Sequence, residues 1–191
     1  DLTSIATKLG IEVEVIPPFK RGRIIVKSRN IREYLKTGQI EKANELLGYD
    51  YFICSRVVHG KALGRSIGFP TINVDVHHQK LIPKPGVYAG LVELDGDTYP
   101  SAISVTLKDK LIVEGHILGF SRDVYGKAVR MIFRHAIREQ RHFETMELLK
   151  EQIKKDVEQI RGIIQLNFHS LSNRDQCDSV GQAYRCFKPT I

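Results

Sequence analysis

Between Tyr51 and Ile137 the chain keeps returning to short runs of Val, Ile, Tyr and Phe, separated by turn-forming residues. The runs are Tyr51–His59, Val87–Leu94, Thr98–Val105, Leu111–Leu118 and Lys127–Ala136. β-branched and aromatic side chains suit a pleated, half-buried surface. Asp95-Gly96 is the signature of a tight hairpin between two of these runs. Strands of this length in succession predict a sandwich or a small barrel, a mainly β fold. The period then changes. Leu149, Ile153, Val157, Ile160 and Ile164 recur every three or four residues and give one apolar stripe. That predicts a helix from Thr145, a suitable N-cap, to about Ile164, read as a lid over one end of the β unit rather than a partner-binding helix.

The segments on either side read differently. Gly10–Pro18 alternates apolar and acidic residues and stops on two prolines, which predicts a short strand, with a helix end before it over Leu2–Leu9. Ser28–Gly38 reads as a helix with a Gly stop, and Gln39–Leu47 as another, stopped by Gly48. Residues 165–191 are polar, with Ser170, Ser172, Asn173, Arg174, Asp175 and Gln176 in near succession, and read as a weakly ordered tail.

Hydrophobic residues make up 42% of the chain, enough for a core. Lys and Arg exceed Asp and Glu by 29 to 22, a net charge of +7. Such a surplus suits polyanions, and both ATP and nucleic acid qualify. There is no long basic tract and no RNA-binding aromatic signature, and Lys20, Arg21 and Arg23 read as a solvated turn. A nucleic-acid-binding barrel therefore ranks low. Three cysteines without paired spacing argue against a disulfide scaffold. Cys54 reads as a small core residue, and Cys177 and Cys186 as thiols of the polar tail. No apolar run approaches a membrane span and no signal peptide is visible at Asp1. The expectation is a cytoplasmic protein with neither nucleic acid nor membrane as partner.

The chemistry gathers at the run from Val58 to Asn73, which contains Gly60, Lys61, Gly64, Arg65, Gly68, Phe69, Pro70 and Thr71. It is not a Walker A loop, because Phe-Pro follows the last glycine and Pro70 opposes a helix there. Nor does the glycine spacing fit a dinucleotide fingerprint. Two readings stay open on these residues: a glycine-rich surface hairpin, or a cradle presenting backbone N–H groups to phosphate oxygens. Thr71 and Asn73 share a face on an extended chain, and their hydroxyl and amide oxygens are hard ligands suited to Mg²⁺. Glu114 lies in an apolar strand, where a carboxylate is costly unless paired or functional. It is either a base with a raised pKa or an outward-facing strand residue. His116 shares its face and either orients it or fills a half-buried place in the β unit. His77 and His78 are adjacent, so on a strand they point to opposite faces and make no metal site.

In combination these motifs resemble riboflavin kinases, including the kinase module of bacterial bifunctional riboflavin kinase/FMN adenylyltransferases. The resemblance rests on Gly68-Phe69-Pro70-Thr71-Ile72-Asn73, Pro85-Gly86-Val87-Tyr88-Ala89, Val113-Glu114-Gly115-His116-Ile117-Leu118, Asp123-Val124-Tyr125-Gly126, Arg138-Glu139 and Phe143, in that order. It covers roughly residues 49–161.

The resemblance implies a six-stranded antiparallel Greek-key β-barrel with a C-terminal helix, over residues 49–164. It implies transfer of the γ-phosphate of ATP, with Mg²⁺, to the 5′-hydroxyl of riboflavin to give FMN. Glu114 would be the base, and Thr71 and Asn73 the ligands of Mg²⁺ and phosphate. Gly60, Lys61, Gly64, Arg65 and Gly68 would be the flap over the phosphates, with Arg65 equally readable as a solvated charge. Tyr125, Gly126, Arg138 and Phe143 would be the flavin side. Phe143 reads equally as a core residue, and Arg138 as a partner of Glu139. Residues 1–48 resemble the α/β end of the adenylyltransferase module through Ser28 and Ile31-Arg32. The family's His-x-Gly-His motif is not in these residues, so FMN adenylylation is not expected of them; the chain is a fragment or the module has been lost. One departure stands out: Thr106–Lys110 replaces the family's Gly-x-x-Pro-Thr segment and has neither Gly nor Pro. A flavin- or nucleotide-binding regulatory module without catalysis is the alternative that this departure favours.

Overall fold

The computed structural model describes residues 2–60 and 63–171, with side chains to Ile164. Lys61 and the greater part of the polar tail, with Cys177 and Cys186, lie outside the described residues. The front of the chain carries helix α1 (Leu2–Lys8), a two-residue hairpin of β1 (Lys20–Arg21) and β2 (Ile24–Ile25), then α2 (Ser28–Lys36) and α3 (Ile40–Leu47). Gly38 and Gly48 follow the two helices at φ 78° and 80°, the left-handed stop expected of them. Gly10–Pro18 is not a strand. Alternation needs a neighbouring strand to take its backbone hydrogen bonds, and Ile11, Val15 and Ile16 are instead exposed.

Six strands then close a barrel: β3 (Tyr51–Val58), β4 (Ile72–Val74), β5 (Gly86–Leu94), β6 (Asp97–Leu107), β7 (Leu111–Ile117) and β8 (Ala128–Glu139). A four-residue helix, α4 (Leu63–Ser66), sits in the connection between β3 and β4. The strand order is β3-β4-β7-β6-β5-β8, every pair antiparallel. β5, β6 and β7 form a meander and β8 returns to lie beside β5, which is the Greek-key arrangement. Asp95 and Gly96 take φ 54° and 93° at the tip of the β5–β6 hairpin, as the dipeptide demands.

Alternation decides what β6 and β7 bury, whereas β5 is covered on both faces. Ile53, Ile103, Val105, Val113, Met131 and Phe133 point inward and are fully buried. Leu35, Ile40 and Ala43 of α2 and α3 join the same core, so residues 28–48 pack directly on the barrel. Cys54 has the opposite parity to Ile53 and is exposed, not a core residue. Gly90 has no room for a side chain: a Cβ there would lie 2.0 Å from the Ile132 carbonyl oxygen. That close approach accompanies the register shift between β5 and β8.

The closing helix, α5 (Met146–Leu171), runs beyond the expected end at Ile164. It packs against the outer wall of the barrel rather than over an end. Ile160 and Ile164 lie on Ala89 and Ala102, small residues directly opposite one another on β5 and β6. Small side chains let the helix approach the sheet closely. Thr145 Oγ1 accepts a hydrogen bond from the Leu148 N–H at 3.3 Å, as an N-cap should. Thr145→Ala is expected to lower unfolding stability by about 1 kcal/mol, read from the urea midpoint. Among the described residues no helix is long and apolar enough to cross a membrane.

Candidate active site

The even-numbered residues of β6 and β7 face outward from the barrel. Ser104 and Thr106 on one strand, and Ile112, Glu114 and His116 on the other, are half-buried, whereas Val105, Val113 and Gly115 are buried inside. An outward glutamate would ordinarily be solvated. Here His59, Gly60, Leu63, Gly64, Ile67 and Phe69 of the connection after β3, together with α5, line a cavity of about 670 Å³ over this stretch of wall.

β4 brings the Asn73 amide to the carboxylate. Asn73 pairs with Val58 on one side and Glu114 on the other, so its side chain and that of Glu114 are direct cross-strand neighbours. The Asn73 amide hydrogen-bonds the Glu114 carboxylate. Burial pushes the Glu114 pKa above the usual carboxylate value, and the Lys108 ammonium and the Asn73 hydrogen bond oppose this. Thr71, two residues before Asn73, lines the same cavity.

Within the glycine run, Leu63–Ser66 form one helical turn between two strands. The Phe69 N–H donates to the Gly64 carbonyl at 2.8 Å and closes it. Gly60 lies directly against Asn73, and a Cβ there would be 2.3 Å from the amide nitrogen and 2.6 Å from the amide oxygen. Only a residue without a side chain lets this backbone come so close to the Asn73 amide. Pro70 ends the run, and its carbonyl lies 2.8 Å from His116 Nδ1. His116 therefore ties β7 to the flap and takes up the Pro70 carbonyl rather than Glu114. The Phe69 ring meets it edge-on at 5.5 Å.

Of the other expected site residues, Gly60, Gly64 and Arg138 line the cavity. Arg65 and Gly68 are exposed and do not line it. The four residues assigned to the flavin do not gather at one point. Tyr125 and Gly126 precede β8 and dock at the root of the flap, where Tyr125 stacks on His59 with centroids 3.7 Å apart. Arg138 lies at the other end of β8, 5.6 Å from the Phe143 ring centroid.

Arg138 does not pair with the Glu139 carboxylate, which binds Lys84 at 2.6 Å. Its Nε and Nη2 donate to the carboxylate of Asp156 on α5, at 3.0 and 2.8 Å. Asp156 is 3% exposed and also accepts a hydrogen bond from Gln152. This pair anchors α5 at the cavity. The signal for it was an acid between Ile153 and Ile160, within the apolar stripe. His77 and His78 occupy the loop after β4, not a strand, so the opposite-face argument does not apply to them. Their rings lie 4.3 Å apart and both line the cavity.

Residues 47–164 match the family model described as Flavokinase: Riboflavin kinase. The chain belongs to the riboflavin kinase family. It is 39% identical over 142 residues to the bifunctional riboflavin kinase/FMN adenylyltransferase of Listeria monocytogenes, covering 71% of this chain and 45% of the relative. It is 36% identical over 163 residues to the Haemophilus influenzae protein described in the same words, covering 82% and 53%. This member of the family thus spans about half the length of the curated relatives it matches. A crystal structure described as a macrolide-efflux protein from Streptococcus pneumoniae superposes with a TM-score of 0.74 at 31% identity, covering 82% of this chain and 53% of that one. The closed six-stranded antiparallel barrel with its C-terminal helix is the architecture expected of a riboflavin kinase.

Proposed function

We propose that this chain transfers the γ-phosphate of ATP to the 5′-hydroxyl of riboflavin, giving FMN and ADP. The observation that carries the reading is the Asn73–Glu114 cross-strand pair, pressed under Gly60 inside a cavity of about 670 Å³. A base, an oxygen-rich ligand pair and a close-fitting backbone flap are what phosphoryl transfer to an alcohol requires.

In the proposed reaction the ribityl oxygen attacks the γ-phosphorus and an O–P bond forms. The bond from that phosphorus to the bridging oxygen breaks, and ADP keeps the electron pair. Glu114 takes the hydroxyl proton. Its raised pKa makes it a better acceptor than an ordinary carboxylate, and the Asn73 amide fixes its position. Gly60 and Gly64 offer backbone to the phosphates without side chains in the way. The hydroxyl of Thr71 and the amide oxygen of Asn73, beside the Glu114 carboxylate, make a hard oxygen donor set that fits Mg²⁺. When bound, Mg²⁺ supplies neutralisation of phosphate charge. Arg138 keeps α5 against the cavity through Asp156.

The proposed reaction ends at FMN; the His-x-Gly-His motif of adenylyl transfer is not among these 191 residues. Residues 1–48 are read as the end of an adenylyltransferase-like module, with support from the bifunctional relatives.

The nucleotide half of the reading is tested by calorimetric titration. MgADP is expected to bind the wild type, and Thr71→Val to weaken it about ten-fold by removing one ligand oxygen from a charged site. Equal affinity in the two proteins would remove Thr71 from the nucleotide site.

A further inference from the structure

The hairpin that joins β6 and β7 carries two lysines that the reaction as described does not use. Alternation puts Ser104, Thr106 and Lys108 of one arm, and Lys110, Ile112 and Glu114 of the other, on the outer face, and all six line the cavity. The Lys108 N–H donates to the Lys110 carbonyl at 3.2 Å, which holds the two residues side by side at the tip. Neither lysine makes an ion pair among the described residues. The acids on the cavity wall are Asp75, Glu114 and Asp156, and Asp156 is taken by Arg138. Lys108 is the cation whose charge reaches Glu114. Two like charges held together on a cavity wall repel each other and favour an anionic occupant.

We propose that Lys108, with Lys110 beside it, holds the phosphoryl group as it passes from nucleotide to flavin, reaching it from the end of β7 opposite the glycine flap. This rests on the kinase reading. A base that takes the proton of an attacking hydroxyl lies within hydrogen-bond reach of that oxygen, and the oxygen lies about 3–3.5 Å from phosphorus. A cation that acts on Glu114 therefore acts on the phosphoryl oxygens too. Riboflavin is uncharged and its 5′-phosphate is an anion, so the lysines recognise the flavin only once it carries the phosphoryl group. A lysine suits the task, being a compact charge on a flexible stem that can follow the group.

The test compares Lys108→Gln, Lys108→Arg and Lys110→Gln with the wild type. Flavin fluorescence titrations with riboflavin and with FMN, each in MgADP, are combined with steady-state turnover. Lys108→Gln is expected to weaken FMN binding and lower kcat by about ten-fold each, with riboflavin affinity unchanged. Lys108→Arg restores most of both, and Lys110→Gln shifts them less, in the same direction. The hairpin tip is exposed, so the melting temperature stays at the wild-type value. Equal losses for riboflavin and FMN would overturn the proposal by showing a packing role, and so would unchanged FMN affinity. A wild type that makes no FMN would overturn the kinase reading and this inference with it, whereas a wild type that makes FMN beside an unaltered Lys108→Gln overturns this inference alone.

Discussion

Glu114→Gln is expected to lower FMN formation by about two to four orders of magnitude, the usual contribution of a general base, in a protein that stays folded. Gln keeps the size of the side chain and a hydrogen bond to Asn73 but cannot take a proton. The same substitution acts on stability in the opposite direction. Burial raises the folded-state pKa of Glu114 above its ordinary 4.5. The folded protein therefore holds this proton more tightly than the unfolded chain. The contribution to stability is fully present below pH 4.5, falls as pH rises through the folded pKa, and above it becomes a constant penalty. Gln carries no such penalty. The variant should match the wild type near pH 4 and melt at an equal or higher temperature at pH 7. In the wild type, turnover should rise with pH through a point above the ordinary carboxylate range as the base ionises. Full activity in Glu114→Gln would refute the assigned proton acceptor.

Gly60→Ala carries the second large effect. The added methyl would lie 2.3–2.6 Å from the three terminal atoms of the Asn73 side chain. Asn73 is 9% exposed and fixed between β3 and β7, so the amide cannot simply turn aside. Either the flap lifts or the amide leaves Glu114. Displacement of catalytic groups by about an ångström costs on the order of 100-fold in rate. Turnover should fall by at least that factor, and MgADP affinity should fall with it. The barrel core is untouched, so the melting temperature should change little. Wild-type kinetics in Gly60→Ala would show that the close contact with Asn73 has no part in catalysis.

Five of the six barrel strands were legible from their own β-branched and aromatic runs and turn chemistry, as at Asp95-Gly96, whereas β4, three residues long, was too short to show as a run and the count of six came from the family resemblance. The two front helices and the Thr145 cap were legible for the same local reason. Gly10–Pro18 was misread because alternation promises a strand only where a neighbour exists, and the sequence shows no neighbours. Cys54 was misplaced because an apolar run does not reveal which parity faces inward. Asn73 and Glu114 were each singled out through the family resemblance, but their pairing across β4 and β7 was not legible. Nor was the reason Glu114 is half-buried, since it faces outward into a cavity lined by a loop and a helix distant in sequence. Asp156 was missed because its partner, Arg138, lies 18 residues away on another element. Gly60 could be read as a phosphate contact, but its tight fit against Asn73 depends on the register of β3 with β4.

The measurement that tests the central claim most directly is incubation of the protein with riboflavin and MgATP, with the flavins separated by chromatography and read by fluorescence. An FMN peak that grows with time and disappears when Mg²⁺ is chelated is the expected result. Absence of FMN, while MgADP and riboflavin still bind, would contradict the account and leave a flavin- and nucleotide-binding module without phosphoryl transfer.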